Sequence, residues 1–92
     1  MSFIRQHPKI SDRLTTLAAR MALTDDYFGI QVAMSVRYAA IDLEEGRLSA
    51  KYDLPRALRI LAALFVENGD TAGAEDVRGL IELVPLWRKE RA

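Results

Sequence analysis

Apolar side chains recur along this chain at intervals of three and four residues, in four stretches separated by capping and turn residues. That spacing places them on one face of an α-helix. In the first stretch Leu14, Leu17, Ala18 and Met21 form a stripe, and Asp12, Arg13, Thr16 and Arg20 fall off it. The pattern predicts a helix from about Asp12 to Leu23, capped by Ser11 or Asp12, either of which can accept a bond from a free backbone N–H.

Thr24, Asp25 and Asp26 form the next start signal, with a hydroxyl for capping and carboxylates that complement the positive end of a helix dipole. Helix two is expected to run to about Glu45 and to stop at Gly46, a residue suited to the left-handed helix-ending position. Its apolar positions do not keep to one face. Tyr27, Ile30, Met34, Tyr38 and Ile41 make one stripe, whereas Val32, Val36, Ala39, Ala40 and Leu43 spread apolar surface to another side. Gln31, Ser35 and Asp42 leave only a narrow polar strip. A helix apolar over most of its circumference has to be covered on more than one side, either by its own domain or by a second polypeptide.

Arg47 to Asp53 reads as a polar connector anchored by Leu48 and Tyr52. Asp53 or Leu54 then caps helix three, with Pro55 in the first turn where a missing N–H costs little. That helix spans about Pro55 to Glu67, with Leu54, Leu58, Leu61 and Phe65 as its main stripe and Arg56 and Arg59 on the wet side. Asn68 and Gly69 supply the stop, and Asp70 caps helix four, whose stripe of Val77, Leu80, Ile81 and Val84 precedes Pro85. So short a connection predicts an antiparallel hairpin. Leu86 and Trp87 are expected to cover its open end. The chain is therefore expected to be all-α, a compact bundle of about four helices whose last two form a repeat-like hairpin. Its organisation reads as an arm over 1–10, one domain over 11–87 and a charged tail over 88–92.

Between Leu58 and Pro85 the residues resemble a single tetratricopeptide repeat. The matching positions are Leu58, Leu61, Ala62 and Phe65 on the first helix, Gly69 at the turn, Ala74 on the second helix and a terminating Pro85. Small residues at 62 and 74 allow close helix approach, Phe65 fills the space beside them, and Gly69 permits the turn. Arg78 departs from the pattern, which places a large apolar residue there. The resemblance covers about a third of the chain and implies a hairpin of the kind that stacks to display a peptide-binding groove.

Composition narrows the function classes. The chain has 92 residues, half of them hydrophobic, which is enough for one packed core with a thin stability margin. Thirteen basic and thirteen acidic residues cancel, removing the global attraction that favours nucleic acid or an anionic membrane. A near-zero net charge also weakens repulsion between identical copies. With no cysteine there is no disulfide, thiolate metal site or cysteine nucleophile. No apolar run approaches the ~18 residues of a membrane span and the start lacks the apolar core of a signal peptide, so a cytoplasmic location is expected.

Catalytic chemistry is sought without result. His7 is the single histidine and has no partner at metal-ligand spacing. Glu44 and Glu45 are adjacent, so they diverge by roughly 100° on a helix and read as an exposed helix end. Ser11, Ser35 and Ser49 lack a nucleophile context, and Gly69, Gly73 and Gly79 are too dispersed for a phosphate loop. Gly73 and Gly79 either allow close packing of helix four or weaken it. No catalytic residue, metal or cofactor is expected.

The expected function is that of a small non-enzymatic interaction module, an adaptor, chaperone-like factor or inhibitor. It would bind another protein or a second copy of itself through Tyr27, Ile30, Met34, Tyr38 and Ile41. The alternative is a helical nucleic-acid-associated regulator contacting its target through Arg56 and Arg59. Scattered arginines with interleaved acids argue against it.

Overall fold

The computed structural model describes residues 9–91, with side chains described for 9–86. Four helices follow one another: α1 (Ile10–Met21), α2 (Tyr27–Glu44), α3 (Leu54–Glu67) and α4 (Thr71–Arg91). α1 packs on α2 and α3 on α4, and the two hairpins close on a shared core through α2 against α3 and α1 against α4. The expected stripes converge there, with Leu14, Leu17, Val36, Leu58, Phe65 and Leu80 buried together.

Both glycine stops work as expected. Gly46 and Gly69 have φ of 73° and 76°. Around each, the glycine N–H and the next N–H turn back onto carbonyls of the last helical turn: Gly46 to Leu43 and Arg47 to Asp42, Gly69 to Val66 and Asp70 to Phe65. These paired bonds satisfy carbonyls that a helix end otherwise leaves open.

Three boundaries differ from the sequence reading. α1 begins at Ile10, because Ile10 is fully buried and extends the Leu14 stripe by one turn. Residues 9 and 10 thus belong to the folded unit rather than to an arm, and 1–8, including His7, lie outside the described residues. Neither Ser11 nor Asp12 is the N-cap. That position is Lys9, which makes no side-chain cap bond. At the other end α4 does not stop before Pro85 but continues to Arg91, so the expected tail is helical as far as 91. Proline removes one backbone bond, but Val77, Leu80 and Val84 are fully buried and hold the helix in line up to the residue before it. Leu86 is half exposed rather than a lid, and the Trp87 side chain lies outside the described set.

Charged caps tie the hairpins together at one end of the bundle. The Asp26 carboxylate accepts from Gly29 N–H at 2.9 Å to cap α2, and also from the Asn68 amide at 2.9 Å, at the end of α3. Asp70 accepts from Gly73 N–H at 2.9 Å to cap α4, while Arg20 of α1 donates to both its oxygens at 2.6 and 2.9 Å. Each cap is therefore also a contact between hairpins.

These bonds favour the ionised carboxylates. The Gly29 N–H, then the Asn68 amide, lowers the Asp26 pKa below its ordinary value, and the Arg20 guanidinium, then the Gly73 N–H, does so for Asp70. A depressed folded-state pKa gives stability that is present above the unfolded value of about 4 and lost as pH falls through the folded value. Thermal melts are thus expected to be flat between pH 7 and 5 as far as these two groups determine them, and to fall below about pH 4. Asp70→Asn should flatten that acid limb; an unchanged limb would show that the cap does not contribute to it.

The two interior glycines of α4 have opposite roles. A Cβ at Gly73 would lie 2.7 Å from the ring of buried Phe65 and 2.9 Å from the Asp70 cap, whereas one at Gly79 would meet nothing within 4 Å. Gly73 permits close helix packing, and Gly79 only weakens the helix. Gly79→Ala is expected to stabilise by about 0.5–1 kcal/mol. Gly73→Ala is expected to destabilise by about 1–2 kcal/mol, overpacking outweighing the propensity gain. Urea titration of both variants checks the opposite signs.

Candidate functional site

α2 divides its apolar residues between two uses. Its inner side carries Gly29, Ala33, Val36, Ala40 and Leu43, all buried. Most are small, which lets the helix sit close to its neighbours; a Cβ at Gly29 would stand 2.9 Å from the Met21 sulfur of α1. At about 100° per residue, a helix that turns these positions inward turns 27, 34 and 38 outward.

The partner-binding candidates accordingly lie on the outer side. Tyr27 is 74% exposed and Tyr38 58%, Met34 is exposed, and Ile30 and Ile41 are half-buried along the edge. The other three helices bury the Val36 side and leave this stripe uncovered. Its α1 edge is tied down by Arg37, which donates from Nε to the Thr15 hydroxyl at 2.8 Å and lies 5.8 Å from the centre of the Tyr38 ring.

Sequence periodicity alone misses the rest of this surface. Between α2 and α3 runs an open groove of about 330 Å³, lined on one wall by Phe28, Gln31, Val32 and Ser35 and on the other by Tyr52, Ala57 and Ile60. Phe28 is 63% exposed, and Ile60 is exposed too. Phe28 lies one position off the α2 stripe, and its place beside Ile60 follows from how α3 crosses α2. The usable signal was its adjacency to Tyr27, two consecutive aromatics directly after a capping carboxylate. Groove and stripe share Gln31 and Ser35 and so form one surface.

Arg56 and Arg59 are both exposed on α3, as expected, and neither side chain has an ion pair among the described residues. The structure does not bring them together with the α2 stripe as a single cluster.

Glu44 departs from expectation. Far from marking an exposed helix end, it is 6% exposed and accepts from the Ser11 backbone N–H at 2.9 Å and the Ser11 hydroxyl at 2.6 Å. α2 thus supplies, from outside, the carboxylate cap that α1 lacks, and Ser11 is a donor to that carboxylate. Glu45 points elsewhere and pairs with Arg47. The adjacent acids have separate structural tasks.

Among the described residues no group of three or more histidine, cysteine or acidic side chains is placed to hold a metal, and no helix is long and apolar enough to cross a membrane. No family model, curated protein or solved structure matches the chain.

Proposed function

We propose that this chain is a non-enzymatic protein-interaction module that docks through the outer face of α2 and the adjoining α2–α3 groove. The observation that carries the reading is the exposure of Tyr27, Met34 and Tyr38 along the outer face of a well-packed helix, with Phe28 exposed in the groove beside them. A fully buried aromatic covers about 150–250 Å², so Tyr27 and Tyr38 on the stripe and Phe28 in the groove together leave on the order of 400 Å² in water, on either side of the polar Gln31 and Ser35. That is the size of the largest apolar patch on an ordinary monomer, about 300–600 Å², which is often functional. Tyrosine suits the task because its body is apolar and its tip tolerates water, and Met34 between the rings supplies an adaptable contact. The hairpin of α3 and α4, with Ala62, Phe65, Gly69 and Ala74 at its packed positions, supports a repeat-like scaffold behind the groove. Adaptor, chaperone-like factor and inhibitor all use such a surface.

Tyr38→Glu tests the reading. Its exposure means that the substitution should leave helicity and melting temperature nearly unchanged, while the associated chains, foreign or identical, are lost on purification from the native cell. Identical assemblies with the wild type and the variant would defeat the proposal.

A further inference from the structure

We infer that the α2–α3 groove receives an amphipathic helix of another protein, with apolar side chains between Phe28 and Ile60 and a lysine or arginine over an acidic mouth formed by Asp25 and Glu67; this rests on the reading of the groove as part of a docking surface. The mouth follows from how the two walls meet. The bond from Asn68 to Asp26 joins the end of α3 to the start of α2. Asp25 stands three residues before Phe28, and Glu67 lies two turns beyond Ile60 on the same side of α3. Both acids line one open depression with Leu23, Thr24, Asp26 and Asn68. Leu23, 89% exposed, adds an apolar contact at its rim.

Charge decides the kind of partner. Asp25 and Glu67 are exposed, and neither has an ion pair among the described residues. The stretches that form this half of the groove, 20–36 and 57–70, hold only two cations, Arg20 and Arg59. Arg20 is engaged by both oxygens of Asp70, and Arg59 is turned about 100° from Ile60 and stands about 12 Å along α3 from Glu67. The opposite end, around Tyr52, is balanced: Lys51 and Arg56 sit there with Asp53, and Arg47 pairs with Asp42 and Glu45. An arriving cation therefore meets two carboxylates at one end of the groove without a competitor. A carboxylate or phosphate would be repelled there. Opposed charges of this kind fix register more than they add affinity.

The walls decide the partner's conformation. Both are helices whose backbone groups are bonded within themselves, so an extended peptide would find few partners for its own backbone, chiefly Gln31 and Ser35. A helix arrives with its backbone already paired and presents apolar side chains at intervals of three and four residues. The wall from Ala57 to Glu67 is about 15 Å long, which accommodates about three turns. So short a groove makes a contact of the transient class, below about 1,200 Å².

The test uses the full chain and a synthetic helix of about 14 residues, with leucines on one face, lysines in the last turn and glutamine elsewhere. Two counterparts carry glutamine or glutamate in place of the lysines. By titration calorimetry at about 0.15 M salt, the glutamine peptide is expected to bind about 5- to 10-fold more weakly than the lysine peptide, and the glutamate peptide more weakly again. Asp25→Asn combined with Glu67→Gln should cost the lysine peptide a similar factor and leave the glutamine peptide unchanged. Glu75→Gln with Asp76→Asn, the same change in net charge on α4 away from the groove, should leave both unchanged. Phe28→Ser and Ile60→Ser, at exposed positions on opposite walls, should each weaken binding by at least about 10-fold with helicity retained. Glutamate binding as tight as lysine would overturn the charge assignment and leave the groove as a docking surface. Lysine binding indifferent to Phe28→Ser and Ile60→Ser, or weakened as much by the α4 pair, would place it outside the groove and overturn the inference. A dimer of the free chain that is lost with Phe28→Ser would overturn it in favour of a second copy. No binding of any peptide would overturn it as well, and the Tyr38→Glu comparison would still decide the wider reading, since Tyr38 lies on the outer face and not in the groove.

Discussion

Phe65→Ala is expected to destabilise the fold by about 3–5 kcal/mol and to lower its melting temperature by roughly 15–30 °C. The ring is 1% exposed at the packed centre of the α3–α4 hairpin. One wall of the space it would leave is Gly73, which has no side chain to move into it although a Cβ there would stand 2.7 Å from the ring. A cavity that cannot collapse costs both the lost transfer energy and the lost contacts, which puts this site at the upper end of large-to-small substitutions. A domain of this size holds about 5–14 kcal/mol in all, so the variant would sit near the edge of folding at physiological temperature. Val66→Ala, one position along and half exposed, supplies the control and should cost under about 1 kcal/mol. Urea unfolding with an unchanged slope and a displaced midpoint would confirm the first result; similar losses at both positions would show that Phe65 is not the centre of the hairpin.

Glu44→Ala is the second large effect, an expected loss of about 2–3 kcal/mol. The carboxylate accepts both Ser11 bonds, and its removal strands a backbone N–H and a hydroxyl that the fold keeps from water. It also takes the negative charge away from the N-terminus of α1, where the helix dipole favours one. Ser11→Ala should cost less, about 1 kcal/mol, because the backbone N–H still reaches the carboxylate. The double variant should fall short of the sum, since each change removes the same hydroxyl bond. Glu44→Gln, which retains acceptor oxygen without the charge, should lie between wild type and Glu44→Ala. Additive losses in the cycle would mean that the two side chains act independently.

Glu44 and Gly73 show where sequence reasoning stops. An acidic residue followed by another and then by glycine has the pattern of a solvated helix end, and nothing local tells that α1 begins directly beside it. The contact spans 33 residues of chain. Gly73 and Gly79 are equivalent in helix propensity, yet one faces a buried ring and the other open space. In both cases the deciding neighbour comes from a different helix, or from the other side of the same one.

Asp53 was one of two caps the pattern allowed for α3, whereas element type, the order of four helices, the glycine stops at 46 and 69 and the capping role of Asp70 were legible because each depends on residues within one or two turns. So was the surplus of apolar surface on α2, a property of its own periodicity. Which half of that surplus becomes core was not. The stripe at Val36 and the stripe at Met34 carry comparable apolar content, and the choice falls to the small residues Ala33, Ala39 and Ala40, which allow α1 and α3 to close on one side only. Tertiary packing thereby leaves the Tyr27 to Ile41 stripe facing outward and brings Tyr52 and Ile60 up to Phe28 of α2 to form the groove beside it. Local periodicity specifies that a helix has two apolar sides; only the volumes of side chains brought together from separate helices decide which of them remains in water.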